Sequence, residues 1–359
     1  KRIGVQYTED MGTELPGFLD STQVLGVNLK TGAAWKYSFG YQPDTNDINK
    51  LGRMRYLSRD SMFNQLIRQR YNQKLSITAQ VSPIRDLNID INLDRTFDKN
   101  YSELYKDSTT NHNGPLLHLN PYAAGSFSMS YISYQTLFER FDPNEISATF
   151  KQFEANRILL SQRLGKSGNP YSSGTVGPDG YVVGYGRYAQ DVIIPAFLAA
   201  YTKKDPTTVS LIKNENPNLR ANPFSKLIPK PNWTITYNGL SRLPDLQKIF
   251  TNFSIRHGYQ STLSMNSFTS SLLFQDPLRV GYPSFIDPAT GNYIPYFLIP
   301  NITIAEQFNP LIEVDMTFTN QLSTRIELKK SRQLSLSLID YQLAENQSTE
   351  YTIGFNWRK

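Results

Sequence analysis

The 359 residues include no cysteine, 19% charged and 13% aromatic side chains with 22 Tyr and 20 Phe, and a net charge of +6 with a pI near 9.2. The missing thiols exclude disulfides, thiolate metal sites and cysteine nucleophiles, and the Lys and Arg are scattered singly along polar faces, unlike the concentrated stripe of a nucleic-acid binder. Few charges and many rings with polar handles suit a boundary between water and hydrocarbon, yet the longest apolar run, residues 192–201, is broken by Pro195 and falls short of the ~18 residues a membrane helix needs. A membrane-spanning form of this chain has to be a β-barrel.

In chain order, the dominant pattern is alternation with period two, the sign of strands whose faces meet different solvents. The chain opens Lys1-Arg2-Ile3-Gly4-Val5, already strand-like, without Met, a hydrophobic signal core or a cleavage site, and reads as cut from a longer polypeptide. Trp35, Tyr37, Phe39 and Tyr41 share one face of a predicted strand after a turn at Lys30 to Gly32. Leu75, Ile77, Ala79 and Val81 alternate with Ser76, Thr78 and Gln80. After a turn at Ser82 to Arg85, Leu87, Ile89, Ile91 and Leu93 alternate with Asn88, Asp90, Asn92 and Asp94, so the pair reads as a hairpin. Residues 42–72 and 97–123 read as long polar connections. Short turns at one end and long connections at the other are the asymmetry of outer-membrane barrels.

A helix start is legible at Asp142, as N-cap, with Pro143 in the first turn and Glu145 at the third position. Ile146, Phe150, Phe153, Leu160 and Leu164 follow before Gly165, predicting about six turns. A glycine-rich stretch, residues 174–186, and an extended segment, residues 217–231, complete a helix-containing insertion over 135–231. It divides barrel strands over 1–134 from a meander over 232–359. Ile146, Phe150 and Phe153 are expected to pack this insertion onto the rim or lumen of the barrel. In the meander, Ile312, Val314, Met316 and Phe318 oppose Glu313, Asp315, Thr317 and Thr319. Strands then follow on Leu322, Ile326 and Leu328, on Leu334, Leu336 and Leu338, and on Tyr351, Ile353, Phe355 and Trp357. On the order of fourteen strands result, many near the 9–11 residues of a tilted barrel strand. Trp35, Tyr41, Trp233 and Trp357 fall at strand ends, as in an interfacial girdle. The fold class is all-β: an antiparallel transmembrane barrel segment with a partly helical insertion. A soluble sandwich or propeller shares the alternation but not the strand length or the girdle.

Candidate chemistry is sparse. His112 and His118 lie six apart in a predicted polar loop without a clustered acid, and His257 shares a strand face with Phe253, Ile255 and Tyr259. No G-x-S-x-G elbow positions a serine. Tyr181 to Ala189 mimics a dinucleotide fingerprint with Asp205 downstream, but Pro195 interrupts the helix that motif requires. Asn232-Trp233-Thr234 and Asn301-Ile302-Thr303 match glycosylation sequons inside predicted strands. Asp90, Asp94, Glu313, Asp315 and Glu327 occupy polar strand faces, where they solvate a wet interior. No catalytic, cofactor or metal residue is assigned.

Residues 190–201 (QDVIIPAFLAAY), 231–240 (PNWTITYNGL), 256–262 (RHGYQST) and 304–312 (IAEQFNPLI) resemble the SprA/Sov family, the outer-membrane translocon of the type 9 secretion system of Bacteroidota. Leu15-Pro16-Gly17-Phe18 and residues 329–336 (KKSRQLSL) are also similar to it, so the resemblance runs over nearly the whole chain. It implies a single-chain barrel of exceptional strand number, through which folded cargo leaves the periplasm in support of gliding motility, adhesin display and enzyme secretion. It implies a PorV-like barrel partner and a periplasmic plug, no cofactor, and no catalytic residue. Family chains are several times longer and continue past the position of Lys359, so this chain corresponds to a C-terminal-side portion. The alternatives are a TonB-dependent-type transporter barrel, for which neither plug nor TonB box is present in these residues, a barrel enzyme, and a soluble β-rich glycan-binding protein.

Overall fold

A computed structural model describes residues 1–21, 23, 28, 35–60, 62–107, 109, 114–140, 142, 144–212, 222 and 224–357. The expected turn at Lys30 to Gly32, His112, Pro143 and residues 217–221 lie outside them. The chain is mostly antiparallel sheet with a few helices.

The strands are β1 Arg2–Glu14, β2 Ile67–Val81, β3 Leu87–Asp107, β4 Leu116–Ser130, β5 Asn232–Tyr237, β6 Phe250–Ser270, β7 Phe297–Leu298, β8 Asn301–Phe318, β9 Leu322–Ser337 and β10 Leu343–Trp357. They form one antiparallel sheet in the order β1-β2-β3-β4-β6-β8-β9-β10. The β2–β3 hairpin expected from the sequence is present, with Ile77 opposite Leu93 and Val81 opposite Ile89.

Strand β3 pairs with β4 from Arg95 to Asp107 and with β5 from Leu87 to Asn92, and β6 does likewise on the far side. β4 and β5 therefore share one strand position. The chain leaves the sheet at Ser130, half-way along its neighbours, and returns at Asn232. Between them lie two helices, so the inserted segment emerges from mid-sheet and not from a strand end.

Several expectations are corrected. Among the described residues there are ten strands and not about fourteen, because period-two segments fuse: Leu322–Leu328 and Leu334–Leu336 belong to the single β9. Residues 97–123 are not a polar loop. β3 and β4 extend to Asp107 and from Leu116, carried by polar side chains that find partners on one another. Trp35 to Tyr41 is not a strand. Trp35–Ser38 is a single helical turn, α1, followed by α2, Thr45–Arg53, capped by Asp44 with Asp47 in a reciprocal capping box. Aromatic rings four apart are in contact, Trp35 edge-on to Phe39 and Tyr37 tilted against Tyr41, and period two was the wrong reading of them.

Helix α3 spans Ala148–Gly165. Its N-cap is Ser147, whose hydroxyl accepts from the Phe150 amide, and not Asp142, which caps a separate bend through the Asn144 amide. Helix α4, Gln190–Tyr201, runs through Pro195. The proline forfeits one i→i−4 bond, but the helix is apolar on all sides and Val192 to Tyr201 are all buried, so tertiary packing outweighs the loss. α4 is the centre of the core: Phe153, Leu160 and Leu164 of α3 cover it from above, and the sheet lies beneath.

Candidate functional site

The registers assign every strand residue to one of two faces, and the faces differ completely. One carries Ile3, Val5 and Tyr7 of β1, Leu75, Ile77 and Ala79 of β2, Ile89, Ile91 and Leu93 of β3, and Trp233 and Ile235 of β5. It continues through Phe253 and Ile255 of β6, Ile312, Val314 and Met316 of β8, Ile326 and Leu328 of β9, and Tyr351, Ile353 and Phe355 of β10. The opposite face holds Gln6, Thr8, Ser76, Thr78, Asn88, Asp90, Asn92, Asp94, Thr234, Gln260, Gln307, Ser331, Gln333, Asn346 and Thr352.

The apolar face has two zones. In the half near the long connections its side chains are buried by the inserted segment: Tyr71, Phe97, Phe127, Met129, Leu263, Met265, Ile302, Ile304, Leu334 and Leu336 lie under α4. The inserted segment thus packs on the apolar face, and not on the polar face as expected for a lumen. Ile146, expected to anchor it, precedes the helix and is exposed, whereas Phe153 is buried and Phe150 partly so.

In the other half nothing among the described residues covers the face. Ile3, Val5, Ile353, Phe355 and Trp357 are each more than 60% exposed, and Ile312 and Ile326 more than 40%. This bare belt crosses all eight strand positions. It extends over about six residues per strand, roughly 20 Å. Such an area far exceeds the few hundred Å² of apolar surface that a soluble monomer leaves uncovered.

Aromatic side chains mark both margins of the belt. Beside the inserted segment, Trp233, Tyr259 and Phe308 stack across β5, β6 and β8 with ring centres 4.8 Å apart in each pair, and Tyr134 and Phe138 meet Tyr259 and Phe308 at 5.3 and 5.6 Å. At the short-turn end Phe250 contacts Phe318 and Phe253. Of the four aromatic residues expected at strand ends, Trp233 and Trp357 are there. Trp35 and Tyr41 are not in strands.

At the upper margin a buried polar knot fastens the departing chain to the sheet. Arg332 Nε donates to Glu306 Oε1 (2.6 Å), its second nitrogen donates to the Ser133 carbonyl (3.0 Å), and Ser133 Oγ and Tyr259 Oη donate to Glu306 Oε2 (2.7 and 3.0 Å). Glu345 stands 3.5 Å from Arg332. In sequence Glu306 and Arg332 look like exposed members of polar strands. Only the register, which sets them opposite each other on the predominantly apolar face, reveals them.

The polar face is internally paired, and Glu313 and Glu327 on it are buried. Glu313 and Glu327, opposite one another, share Arg325 at 2.7 and 3.6 Å, and Lys329 joins Glu327 to Glu350 at 3.5 Å each. Ser76 donates to Asp94, and a shallow groove of about 400 Å³ is lined by Gln260, Gln307, Ser331, Gln333, Asn346 and Ser348. Asp90 and Asp315 lie on the same face.

Of the histidines, His257 bonds through Nδ1 to the Leu311 carbonyl (2.6 Å). His118, contrary to expectation, has an acid: Glu103 lies 2.7 Å from Nδ1 and Asn49 of α2 lies 3.2 Å from Nε2, so this residue docks α2 onto β3 and β4. The described residues contain no group of His, Asp or Glu arranged for a metal, and no helix among them is long and apolar enough to cross a membrane. Asn232 is buried and its side chain accepts from the Ser261 amide. Residues 181–189 form short bridges and turns before α4. Compared with protein-family models and with curated proteins, the chain matches none.

Proposed function

We propose that this sheet is part of the wall of a very large outer-membrane β-barrel that conducts folded proteins, a translocon of the SprA/Sov type in bacterial type 9 secretion. The observation that carries the membrane reading is the bare apolar belt, continuous over every strand position and bounded by aromatic rows. Its height of roughly 20 Å, before the aromatic margins are added, approaches the ~25 Å apolar band of membrane barrels. The two longest connections, residues 15–66 and 271–296, leave one end of the sheet, whereas the other end carries the turns 82–86 and 319–321 and the twelve-residue connection 238–249, an asymmetry that adds to it, as periplasmic ends carry the shorter turns.

On this reading the belt faces lipid and the opposite face lines a wet lumen. A surface of amides, hydroxyls and charges of both signs suits a conduit for folded proteins, because it offers a passing cargo no apolar patch on which to stick. The chain's role is passage and not catalysis. The inserted segment is then a buttress on the outer flank of the wall, just beyond the bilayer, and its partners are the rest of the barrel, a PorV-like protein and a plug.

The test sets two neighbours against each other. Val314, mid-belt, replaced by Arg should cost ~2–4 kcal/mol and abolish assembly in outer membranes, whereas Asp315→Arg, on the wet face, should cost much less. Equal loss of heat-modifiable, membrane-extracted barrel from both variants would refute the assignment.

A further inference from the structure

At the long-connection end of the sheet a cavity of about 580 Å³ opens between the start of α4, the end of β6, the turn at residues 287–295 and the turn joining β9 to β10. The barrel reading gives it no role. Its volume lies within the roughly 300–1,000 Å³ of pockets that hold small molecules.

The walls are held by the protein's own hydrogen bonds. The Gln190 side chain donates to the Phe297 carbonyl (2.8 Å) and accepts from the Ile299 amide (2.7 Å), and Asn292 Oδ1 accepts from the Gly186 amide (2.8 Å). The amides of Tyr293 and Leu338 donate to the carbonyls of Gly184 and Pro300, both at 2.8 Å. Stretches far apart in sequence are thereby fixed around the space before any ligand arrives, and such preorganisation lowers the cost of binding.

Three kinds of group face the cavity. Tyr188 and Tyr341 are 46% and 41% exposed and meet with ring centres 4.7 Å apart, beside the exposed aliphatic chains of Leu273 and Leu298. Ser267 and Thr269 of β6 contribute hydroxyls that form no hydrogen bond among the described residues. Ser267 holds a left-handed backbone (φ 58°), rare for serine, where β6 gains one residue against β4. Asp287 accepts from the Ala289 amide and the Thr290 hydroxyl at 3.0 Å each and keeps lone pairs to spare. It is the one charged residue on the wall, since among the described residues no Lys, Arg or His lines the cavity.

We propose that this cavity binds a neutral oligosaccharide, one sugar ring lying against Tyr341 while its hydroxyls meet Ser267, Thr269 and Asp287. A pyranose has apolar C–H faces and a rim of hydroxyls, which matches a wall of half-exposed rings beside free hydroxyls and a carboxylate. A purely apolar occupant would strand the two hydroxyls away from water without partners. An anionic one would meet Asp287 and no cation to offset it.

The full polypeptide, solubilised in the sugar-free detergent lauryldimethylamine oxide, is to be titrated with maltotriose, cellotriose and mannotriose, with trigalacturonate and trilysine as charged controls. Binding is read by saturation-transfer difference NMR and calorimetry. At least one neutral trisaccharide should bind. Tyr341→Ala should weaken it about tenfold and Thr269→Val about fivefold, as expected for a lost aromatic contact and a lost neutral hydrogen bond. Tyr341→Phe, which keeps the ring, should keep the affinity, and so should Lys248→Gln at the short-turn end beside Asp245. Failure of the native protein to bind any of the neutral sugars would overturn the proposal, as would tighter binding of either charged control. Binding that survives Tyr341→Ala combined with Thr269→Val would also overturn it, by placing the sugar elsewhere on the molecule.

Discussion

Arg332 and Glu306 face each other across β9 and β8, both almost wholly buried, on the predominantly apolar face of the sheet. The pair occupies the point at which the chain peels away from the sheet, and its remaining bonds go to Ser133 and Tyr259. Its geometry therefore fixes where the belt ends and the buttress begins. Removing one member of a buried pair leaves an uncompensated charge, whereas removing both with apolar residues of similar size can be nearly neutral. Glu306→Gln should cost about 3–5 kcal/mol in denaturant unfolding of the assembled protein, and Glu306→Leu with Arg332→Leu markedly less. A double variant as unstable as the sum of the singles would show that the pair's coupling is negligible.

A second expectation concerns how the buttress is held. Phe153 is 1% exposed and packs against Phe197 of α4 with ring centres 6.2 Å apart, while Ile146 is 63% exposed. Phe153→Ala should cost about 3–5 kcal/mol through the cavity it leaves, and should speed amide exchange throughout α3. Ile146→Ser should change stability by no more than about 0.5 kcal/mol. Equal exchange rates in the two variants would mean that the insertion is not held by this core.

The contrast between these two residues shows how far the sequence could be read. Strands with a clean period of two, such as Leu75–Val81 and Ile312–Phe318, were legible with their partners, because the two solvents on either side write themselves into alternate positions. The ends of β3 and β4 were not. Above the belt the alternating residues are Lys99, Tyr101, Glu103 and His118, which mimic a loop until their cross-strand partners are known. α3 was legible in its periodicity and not in its cap, since Asp142 and Ser147 are both good N-caps and only the backbone distinguishes them. α4 was hidden by Pro195, whose local penalty is outweighed by burial on all sides. The margin of the belt was the least legible feature of all, for its aromatic members come from positions 134, 138, 233, 259 and 308 and meet only in three dimensions.

In the connection between β6 and β7, Asp276 accepts from two amides of its own loop, Gly281 (2.6 Å) and Val280 (3.2 Å), and from the Tyr171 hydroxyl of the inserted segment (2.8 Å). Burial pushes its carboxyl up, but these donors outweigh burial and hold it below its ordinary value of 3.8. A carboxyl lowered by folding contributes stability that is fully present above its unfolded pKa and is lost as pH falls through the lower, folded one. The amides of Val280 and Gly281 should therefore stay protected at neutral pH and lose protection only below about pH 4, after correction for intrinsic exchange. Asp276→Asn should abolish that acid-dependent step. Protection in the wild type that is flat from neutral pH to pH 2 would show that the carboxylate is not what orders the loop.

The sheet's two edges lead to the last expectation. β1 pairs only with β2, and β10 only with β9, so each leaves one row of backbone groups unpaired among the described residues. Both edge strands carry the belt, on Ile3, Val5 and Tyr7 and on Tyr351, Ile353, Phe355 and Trp357. Within hydrocarbon each unsatisfied backbone group costs several kcal/mol, and only closure removes the cost. Two closures are possible. In the translocon reading further strands flank both edges, whereas in a small barrel β1 would pair directly with β10. These 359 residues contain no cysteine, so Val5→Cys and Phe355→Cys introduce the only two thiols within them. Were the two strands paired, these positions could come within the ~4.4–6.8 Å between Cα atoms that a disulfide spans. In the assembled membrane protein the pair should resist oxidation to a disulfide, even though the amides of β1 and β10 are as protected from exchange as those of β2 and β9. Ready disulfide formation between positions 5 and 355 would establish the small barrel and sink the giant-translocon reading. Rapid exchange along either strand would mean that no further strand covers that edge, with the same consequence.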